Sequence, residues 1–468
     1  MGVRARGPAR RCVDSAVVTD AVISQAVRVH ALTCREPVAD GATISLSYDA
    51  TSADGTVAHS FTEVVELPAS LEGTDDAVRE PLLRMLSVAA GLSYLKAFAP
   101  AALHVPGGLT AHERALAEAL ARLGLGEFAY VNDLPEVLDT EVVAPELPTT
   151  SPGSAQGRSD DVPSGALVAV GGGKDSIVSI EALRGAGLDV VLFSVNSYAP
   201  IEATAQAAGL PLRSVRRRLD PALFVLNDAG APNGHVPVTA VNSLLAELTA
   251  LALGLDVVVF SNEASSSFGN VDWHGRQINH QWSKGLDFER LLRAALPAGV
   301  PDYVSLLRPL TELRIARRFA AHAAYHPVFT SCNRAFKLRA EDRTSWCGEC
   351  DKCRFVFLVL APFLGRDALL AIFGGRDLLA DEEQWTGFLE LLGAEGLLKP
   401  FECVGEPDEC RVALALLREH PEWVDHPFLA QPSLTALVAT EQERHDAFAF
   451  REGEHCLPPS LEALAREV

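Results

Sequence analysis

The chain has 468 residues, enough to bury a substantial core and to form two or three domains. Its 61 acidic residues outnumber its 40 basic ones, and the net charge of -21 argues against nucleic acid as a partner. The sequence shows no charge-free apolar run of membrane-spanning length and no apolar signal segment after its basic start, which predicts a cytoplasmic protein without a membrane partner. Its nine cysteines indicate thiols and metal binding rather than a disulfide framework.

Residues 1–140 are predicted to form an α+β domain. Apolar and polar residues alternate from Thr43 to Tyr48, Asp54-Gly55 suits a tight turn, and the chain returns from Val57 to Leu67, which predicts a β-hairpin followed by helices. This region shows no clear catalytic pattern, so a lid, a specificity domain and an interaction surface are all compatible with it. Residues 141–165 are rich in Pro, Ser, Thr and Gly and predict a surface linker.

Residues 166–360 are predicted to form an α/β domain. Leu167 to Val170 is a short apolar strand that leads into a helix from Ser176, and further apolar strands are expected at Asp189 to Val195 and Asp256 to Phe260. Continuous apolar strands alternating with helices predict a parallel, doubly wound sheet with both faces covered. Ligands of such sheets bind beyond the carboxyl ends of the strands.

The segment Gly171-Gly-Gly-Lys-Asp-Ser176 joins the first of these strands to its helix. The glycines let backbone N–H groups approach an anion at the helix N-terminus, Lys174 can screen phosphate charge, and Asp175 can hold Mg²⁺. A simple strand-to-helix turn is the alternative. The loop predicts an ATP site formed by Gly171, Gly172, Gly173, Lys174, Asp175, Ser176 and Val195.

A dense polar stretch follows the strand that ends at Phe260. Glu263 could bind metal or act as a base, His280 could move a proton near neutral pH, and Lys284 could meet a phosphate or carboxylate. A solvated loop of small residues is the alternative. The predicted catalytic residues are Lys174, Asp175, Glu263, His280 and Lys284.

Four cysteines form a second pattern at Cys332, Cys347, Cys350 and Cys353. Two overlapping Cys-x-x-Cys steps with one cysteine upstream have the spacing of a tetrahedral zinc site. Four protein sulfurs leave no open position for water, so a structural Zn²⁺ is expected. An iron–sulfur cluster is the alternative.

Residues 361–468 are predicted to form a helical C-terminal region. It contains an acidic loop that carries Cys403 and Cys410, which could form a proton-transfer pair but would be poorly ionised without a neighbouring cation. The start of a helix is the alternative reading of this loop. Four arginines could bind the diphosphate and carboxylates of a nucleotide-linked substrate: Arg308, Arg314, Arg317 and Arg318. The alternative is that they form the exposed surface of a helix.

The glycine loop resembles the Ser-Gly-Gly-x-Asp-Ser loop of PP-loop ATP pyrophosphatases, with Gly171 in place of the first serine. The four-cysteine pattern is similar to that of 7-cyano-7-deazaguanine synthase, a PP-loop enzyme. A closer resemblance is to the ATP-dependent UDP-N-acetylmuramoyl-L-alanyl-L-glutamate epimerases. The segments that carry it are Gly171–Ser176, Phe260–Ala264, Asn279–Ser283, Phe329–Asn333, Trp346–Cys353 and Phe401–Glu406.

This resemblance implies a PP-loop ATPase-type fold, a UDP-linked muropeptide substrate, and conversion of its terminal L-Glu to D-Glu with ATP cleaved to AMP and diphosphate. The ATP requirement is chemically reasonable, because an ionised carboxylate makes the neighbouring α-proton hard to remove and adenylation abolishes that charge. The proton carriers are left open among Glu263, His280, Lys284, Cys403 and Cys410. Another adenylating PP-loop enzyme, such as a nitrile synthase or a tRNA thiolase, and a non-enzymatic ATP sensor are the alternatives.

Overall fold

The computed structural model describes residues 28–148, 163–336 and 345–468. The basic start of the chain and most of the predicted linker at 141–165 lie outside the described residues. Within the described parts, no helix combines the length and the apolar character needed to cross a bilayer.

Most strands belong to one large mixed sheet. The strands are β1 Val29–Cys34, β2 Val38–Asp40, β3 Thr43–Ser52, β4 Val57–Glu66, β5 Ala102–His104, β6 Glu141–Val143, β7 Gly165–Ala169, β8 Asp189–Val195, β9 Leu212–Arg218, β10 Val257–Phe260, β11 Val271–Trp273, β12 Arg276–Ile278 and β13 Asp302–Ser305. The sheet order is β13-β10-β7-β8-β9-β4-β3-β1-β5-β6, with β2 paired to β3. The strands β11 and β12 form a separate hairpin. The predicted hairpin in the first part of the chain is confirmed as β3 and β4.

Helices cover this sheet and form the C-terminal region. They are α1 Asp76–Leu95, α2 Ala111–Arg122, α3 Gly126–Asn132, α4 Lys174–Gly185, α5 Ala199–Ala208, α6 Pro221–Asp228, α7 Val238–Leu253, α8 Leu286–Ala295, α9 Glu312–Ala320, α10 Asp351–Leu360, α11 Arg366–Ile372, α12 Trp385–Leu391, α13 Pro407–Glu419, α14 Glu441–Asp446 and α15 Pro459–Glu467. The predicted mixed α/β class is confirmed.

The strands β13, β10, β7, β8 and β9 pair in parallel. Alternate residues of β7 enter two different cores: Ala166 and Val168 pack on one face with Ile177 of α4, and Leu167 packs on the other with Leu244 of α7. Burial on both faces explains why β7 is continuously apolar instead of alternating. The carboxyl ends of these strands therefore meet at one edge, where their loops can form a site.

The antiparallel pair β4 and β9 joins the first part of the chain to the parallel strands. Arg217 of β9 donates from Nε to Glu63 at 2.5 Å, and the carboxylate of Glu63 is fully buried. The last three residues of β9, Arg216–Arg218, pair along β4, and the side chains of Arg216 and Arg218 are exposed. A buried charge pair thus links the two parts.

Replacing Arg217 by Met is expected to lower the free energy of unfolding by about 3 kcal/mol, because Glu63 then remains buried without its partner. The matched control is Arg216→Met, since the Arg216 side chain is 69% exposed and lies 3.9 Å from Glu66. Urea denaturation of the two variants and the wild type measures the difference. Equal midpoints for the Arg217 and Arg216 variants would show that the buried pair is dispensable.

Candidate active site

The glycine loop lies between β7 and α4, at the carboxyl edge of the parallel strands. Gly172 has φ +84, and a Cβ there would lie 3.2 Å from Cβ of Pro200. Gly173 is the N-cap of α4 and has no side chain to cap the first amides of the helix. The Ser176 hydroxyl bonds back to the Gly173 carbonyl at 3.1 Å instead. The loop thus combines a tight glycine turn with uncapped helix amides, which is suitable for phosphate oxygens.

A cleft of about 530 Å³ opens above this loop. Asp175 lines it from the loop and Lys284 from the polar stretch after β10. A smaller cavity of about 90 Å³ shares these two residues and Lys352 with the cleft. The predicted site residues in the two cavities are Gly171, Gly173, Lys174, Asp175, Ser176, Val195, Glu263 and Lys284. Gly172 forms the turn below the cleft, and His280 lies behind the small cavity against Cys403.

A larger cavity of about 620 Å³ lies at the amino ends of the same strands. Its Asp256 carboxylate accepts hydrogen bonds from the Ser164 hydroxyl at 2.6 Å and from the Gly165 amide at 3.0 Å. Asp302, also in its lining, pairs with Arg293 at 2.7 Å. These carboxylates hold strand ends together, so we place the chemistry in the cleft at the carboxyl edge.

Lys174 is 3% exposed and lies between the carboxylates of Asp175 and Glu312. Burial opposes its charge, but the two carboxylates outweigh burial and raise the pKa of Lys174. Its ammonium therefore stays charged. The Lys174 side chain lines the small cavity and not the wide cleft. In this arrangement Lys174 ties the glycine loop to α9.

Cys403 lies in the small cavity, where Lys284 donates from Nζ to its sulfur at 3.0 Å. Burial opposes ionisation, but Lys284, Lys352 and His280 together lower the pKa of the Cys403 thiol to about 5. The sequence left open whether a cation lies beside this thiol, and the fold brings two lysines from other segments to it. Cys410 differs, since its complete burial raises the pKa of its thiol.

His280 pairs through Nδ1 with Glu127 of α3, and its ring lies close enough to Cys403 for the two groups to influence each other's charge. Burial opposes its charge, but these two partners raise the pKa of His280 to about 9. His235 lies 3.5 Å from the same carboxylate, and burial and the neighbouring His280 lower its pKa to about 4. Three side chains here could each offer one atom to a metal ion, and these atoms lie within 4.8 Å of one another: Glu127, His235 and His280. Because Glu127 contacts His280 directly, we interpret the group as a hydrogen-bonded cluster.

The buried Arg308 organises the polar stretch after β10. Its Nε donates to Glu289 at 3.0 Å, and Nη1 donates to the Glu263 carbonyl at 2.8 Å. Its Nη2 donates to the carbonyl of Lys284. Arg308 thereby fixes the two turns that carry Glu263 and Lys284, and it is not available to a substrate. Arg314 likewise donates to main-chain carbonyls in the C-terminal region.

The four predicted metal ligands converge at the start of α10. The sulfurs of Cys332 and Cys350 lie 3.9 Å apart, Cys347 and Cys353 lie 3.7 Å apart, and Cys350 and Cys353 lie 3.5 Å apart. A tetrahedral zinc with bonds of about 2.3 Å requires sulfurs about 3.8 Å apart. The thiols are free, and the Gly348 amide donates to the sulfur of Cys353 at 3.3 Å. The residues fit a structural zinc.

Sequence reasoning missed Glu127, Glu312 and Lys352 as parts of this site. Lys352 lies between two of the cysteines, so the turn around the predicted metal directs it into the cleft. Its position beside Cys353 could have indicated that Lys352 lies near the site. Glu127 and Glu312 come from other segments, and their neighbours in the sequence contain no sign of a role.

Known proteins that resemble this chain belong to the family that its motifs indicated. Residues 24–306 match the MurL N-terminal domain, and residues 328–448 match the MurL C-terminal domain. A UDP-N-acetyl-alpha-D-muramoyl-L-alanyl-L-glutamate epimerase of Micromonospora sp. is 51% identical over 87% of this chain and 91% of that protein. An enzyme of the same name from Salinispora tropica is 52% identical over 79% of this chain and 81% of that protein. Another, from Xanthomonas oryzae pv. oryzae, is 40% identical over 89% of this chain and 95% of that protein. The chain belongs to the MurL family.

Proposed function

We propose that this protein converts the terminal L-Glu of UDP-MurNAc-L-Ala-L-Glu to D-Glu in peptidoglycan precursor biosynthesis. It activates the α-carboxylate with ATP as an acyl-adenylate and releases AMP and diphosphate. The observation that carries the proposal is the shared lining of the two cavities. Asp175, Lys284 and Lys352 line both the cleft above the glycine loop and the small cavity that holds Cys403. A phosphate held at the loop and a carbon next to Cys403 would therefore be adjacent.

The glycine loop is the proposed ATP site, of the PP-loop type. Its uncapped amides at α4 would receive phosphate oxygens, and Val195 lines the same cleft at the end of β8. Asp175 faces the cleft and would hold Mg²⁺, which neutralises phosphate charge when it is bound. A side chain at Gly172 would press on Pro200, so the loop favours glycine there.

Activation by adenylation changes the acidity of the α-carbon. The ionised carboxylate would have to accept a second negative charge when the α-proton leaves, whereas the neutral acyl group can delocalise the electrons into its carbonyl. Lys284 and Lys352 bring positive charge to this cavity, which stabilises such an enolate. Water then attacks the acyl carbon and releases AMP with the inverted glutamate.

The proposal is tested by incubating the protein with ATP, Mg²⁺ and UDP-MurNAc-L-Ala-L-Glu, hydrolysing the product, and assigning the chirality of its glutamate. We expect D-Glu to accumulate together with AMP and diphosphate. The absence of both D-Glu and AMP would overturn the proposal. AMP formed only with a deazapurine carboxylate or a tRNA would assign the protein to a different adenylating reaction.

A further inference from the structure

We propose that Cys403 is one of the two groups that move the proton at the α-carbon, and that Glu127 positions it through His280. The inference rests on the proposed epimerisation and adds the residues that carry it out. Side chains from segments far apart in the chain meet at the sulfur atom of Cys403. The charged groups around this thiol therefore come mostly from other parts of the chain.

The sulfur of Cys403 lies between charged partners inside the small cavity. Lys284 donates to it at 3.0 Å, and His280 and Lys352 lie close enough to favour its charge. A thiolate is the form of cysteine that can accept a proton, and burial alone would disfavour it. This cation cluster holds the thiol in its basic form beside the space available to a substrate.

A second group must return the proton on the opposite face. Four acidic side chains line or approach the small cavity, and two of them, Asp175 and Glu312, contact Lys174. Glu263 lines the same cavity and accepts a hydrogen bond from the Ser265 hydroxyl at 2.7 Å. We assign it as the partner of Cys403. Glu402 lies next to Cys403 in the chain, and its carboxylate accepts a hydrogen bond from the Asn333 side-chain amide at 2.6 Å.

The proton transfer balances without another reactant. The Cys403 thiolate takes the α-proton and becomes a thiol, while the C–H electron pair moves into the acyl carbonyl. Glu263 then donates a proton, taken up from solvent, to the other face of the same carbon, and the carbonyl re-forms. Exchange with solvent restores the thiolate and the carboxyl, and the reverse reaction uses the two groups in the opposite order.

Solvent deuterium incorporation at the α-carbon tests the assignment with ATP and Mg²⁺ present. Cys403→Ala is expected to lose epimerisation at least a hundredfold, to keep diphosphate release, and to exchange the α-proton of only one of the two epimeric substrates. Glu263→Gln should exchange only the other epimer. The control is Cys456→Ala, which removes a half-buried thiol outside both cavities and should behave as the wild type. Epimerisation by Cys403→Ala at the wild-type rate would overturn the inference.

A separate measurement tests the positioning role of Glu127. Without that carboxylate His280 loses charge near neutral pH, the thiol of Cys403 ionises less easily, and the acidic limb of the kcat profile should move to higher pH. Cys403 is faced by Lys284, Lys352, His280 and Glu402, and His280 by Glu127 and His235. Glu127→Gln should therefore regain activity at alkaline pH.

A uniform loss of activity across the pH range in Glu127→Gln would show a merely structural role and overturn the positioning claim. The failures of the two proposals are distinguishable. If the wild type forms no D-Glu, the proposed function fails. If the wild type forms D-Glu and the Cys403 variant does so equally fast, only the assignment of Cys403 fails.

Discussion

Replacing Asp175 by Asn is expected to reduce diphosphate release from ATP about a thousandfold while the protein remains folded. The proposed role of this carboxylate is to hold the Mg²⁺ that neutralises the phosphates, and the amide of asparagine has no charge to do so. Asp175 lies in the first turn of α4, faces the cleft and contacts Lys174. The amide keeps the size of the side chain, so packing around the loop should change little.

Diphosphate release under saturating ATP measures this effect, and circular dichroism checks the fold. Asp189→Asn is a matched control, because Asp189 is exposed at the amino end of β8, and the glycine loop lies at the carboxyl ends of the parallel strands. The control should release diphosphate as the wild type does. Undiminished release by Asp175→Asn would mean that the loop does not hold the metal.

Replacing Cys353 by Ser is expected to abolish binding of the proposed structural zinc and to prevent stable folding. Cys353 is fully buried in the core around α10, and its sulfur lies within 3.7 Å of two other cysteine sulfurs. Structural zinc contributes on the order of 10 kcal/mol of binding energy in small zinc domains. That is comparable with the whole free energy of unfolding of a typical protein, about 5 to 15 kcal/mol.

Metal content and the thermal midpoint of the purified protein measure the effect. We expect about one zinc per chain in the wild type, none in Cys353→Ser, and little soluble protein for that variant. Cys456→Ser should retain its zinc. A wild-type protein that keeps its thermal midpoint after chelation of all metal would contradict a structural zinc. A bound iron–sulfur cluster would be recognised by its visible absorption.

The features that the sequence predicted are those with local signals. The β3–β4 hairpin follows from alternation on both sides of Asp54-Gly55, and Gly55 has φ +85. The strand, glycine turn and helix around Gly172 follow from an apolar run that meets three glycines. Spacing alone indicated that Cys347, Cys350 and Cys353 would meet. Each of these patterns is complete within about 25 residues of continuous chain, so no knowledge of distant packing was needed.

The features that the sequence did not predict depend on contacts between distant segments. The pairing of Val65 with Arg217 across β4 and β9 joins residues 152 positions apart, and no local pattern specifies it. Glu127 reaches His280 from 153 positions away, and Lys284 reaches Cys403 from 119. Arginines such as Arg308 suggested substrate contacts because their charge is visible in the sequence, whereas their buried partners are not.

The small cavity combines residues from both regions matched by the family. Asp175, Glu263 and Lys284 lie within residues 24–306, and Lys352 and Cys403 lie within residues 328–448. A site whose charges come from both regions is complete only when they are packed together. The proposed zinc centre would contribute to this packing, since Lys352 lies between two of its cysteines. We therefore expect metal loss to affect catalysis as well as stability.

The central claim is that the glycine loop activates the α-carboxylate of the substrate as an acyl-adenylate. Its most direct test uses UDP-MurNAc-L-Ala-L-Glu with ¹⁸O at both oxygens of the α-carboxylate of its glutamate, together with ATP and Mg²⁺ in ordinary water. The labelled oxygen attacks the α-phosphorus, and water later attacks the acyl carbon, so the account predicts one ¹⁸O in the AMP for each D-Glu formed. D-Glu that forms while all the AMP remains unlabelled would contradict it.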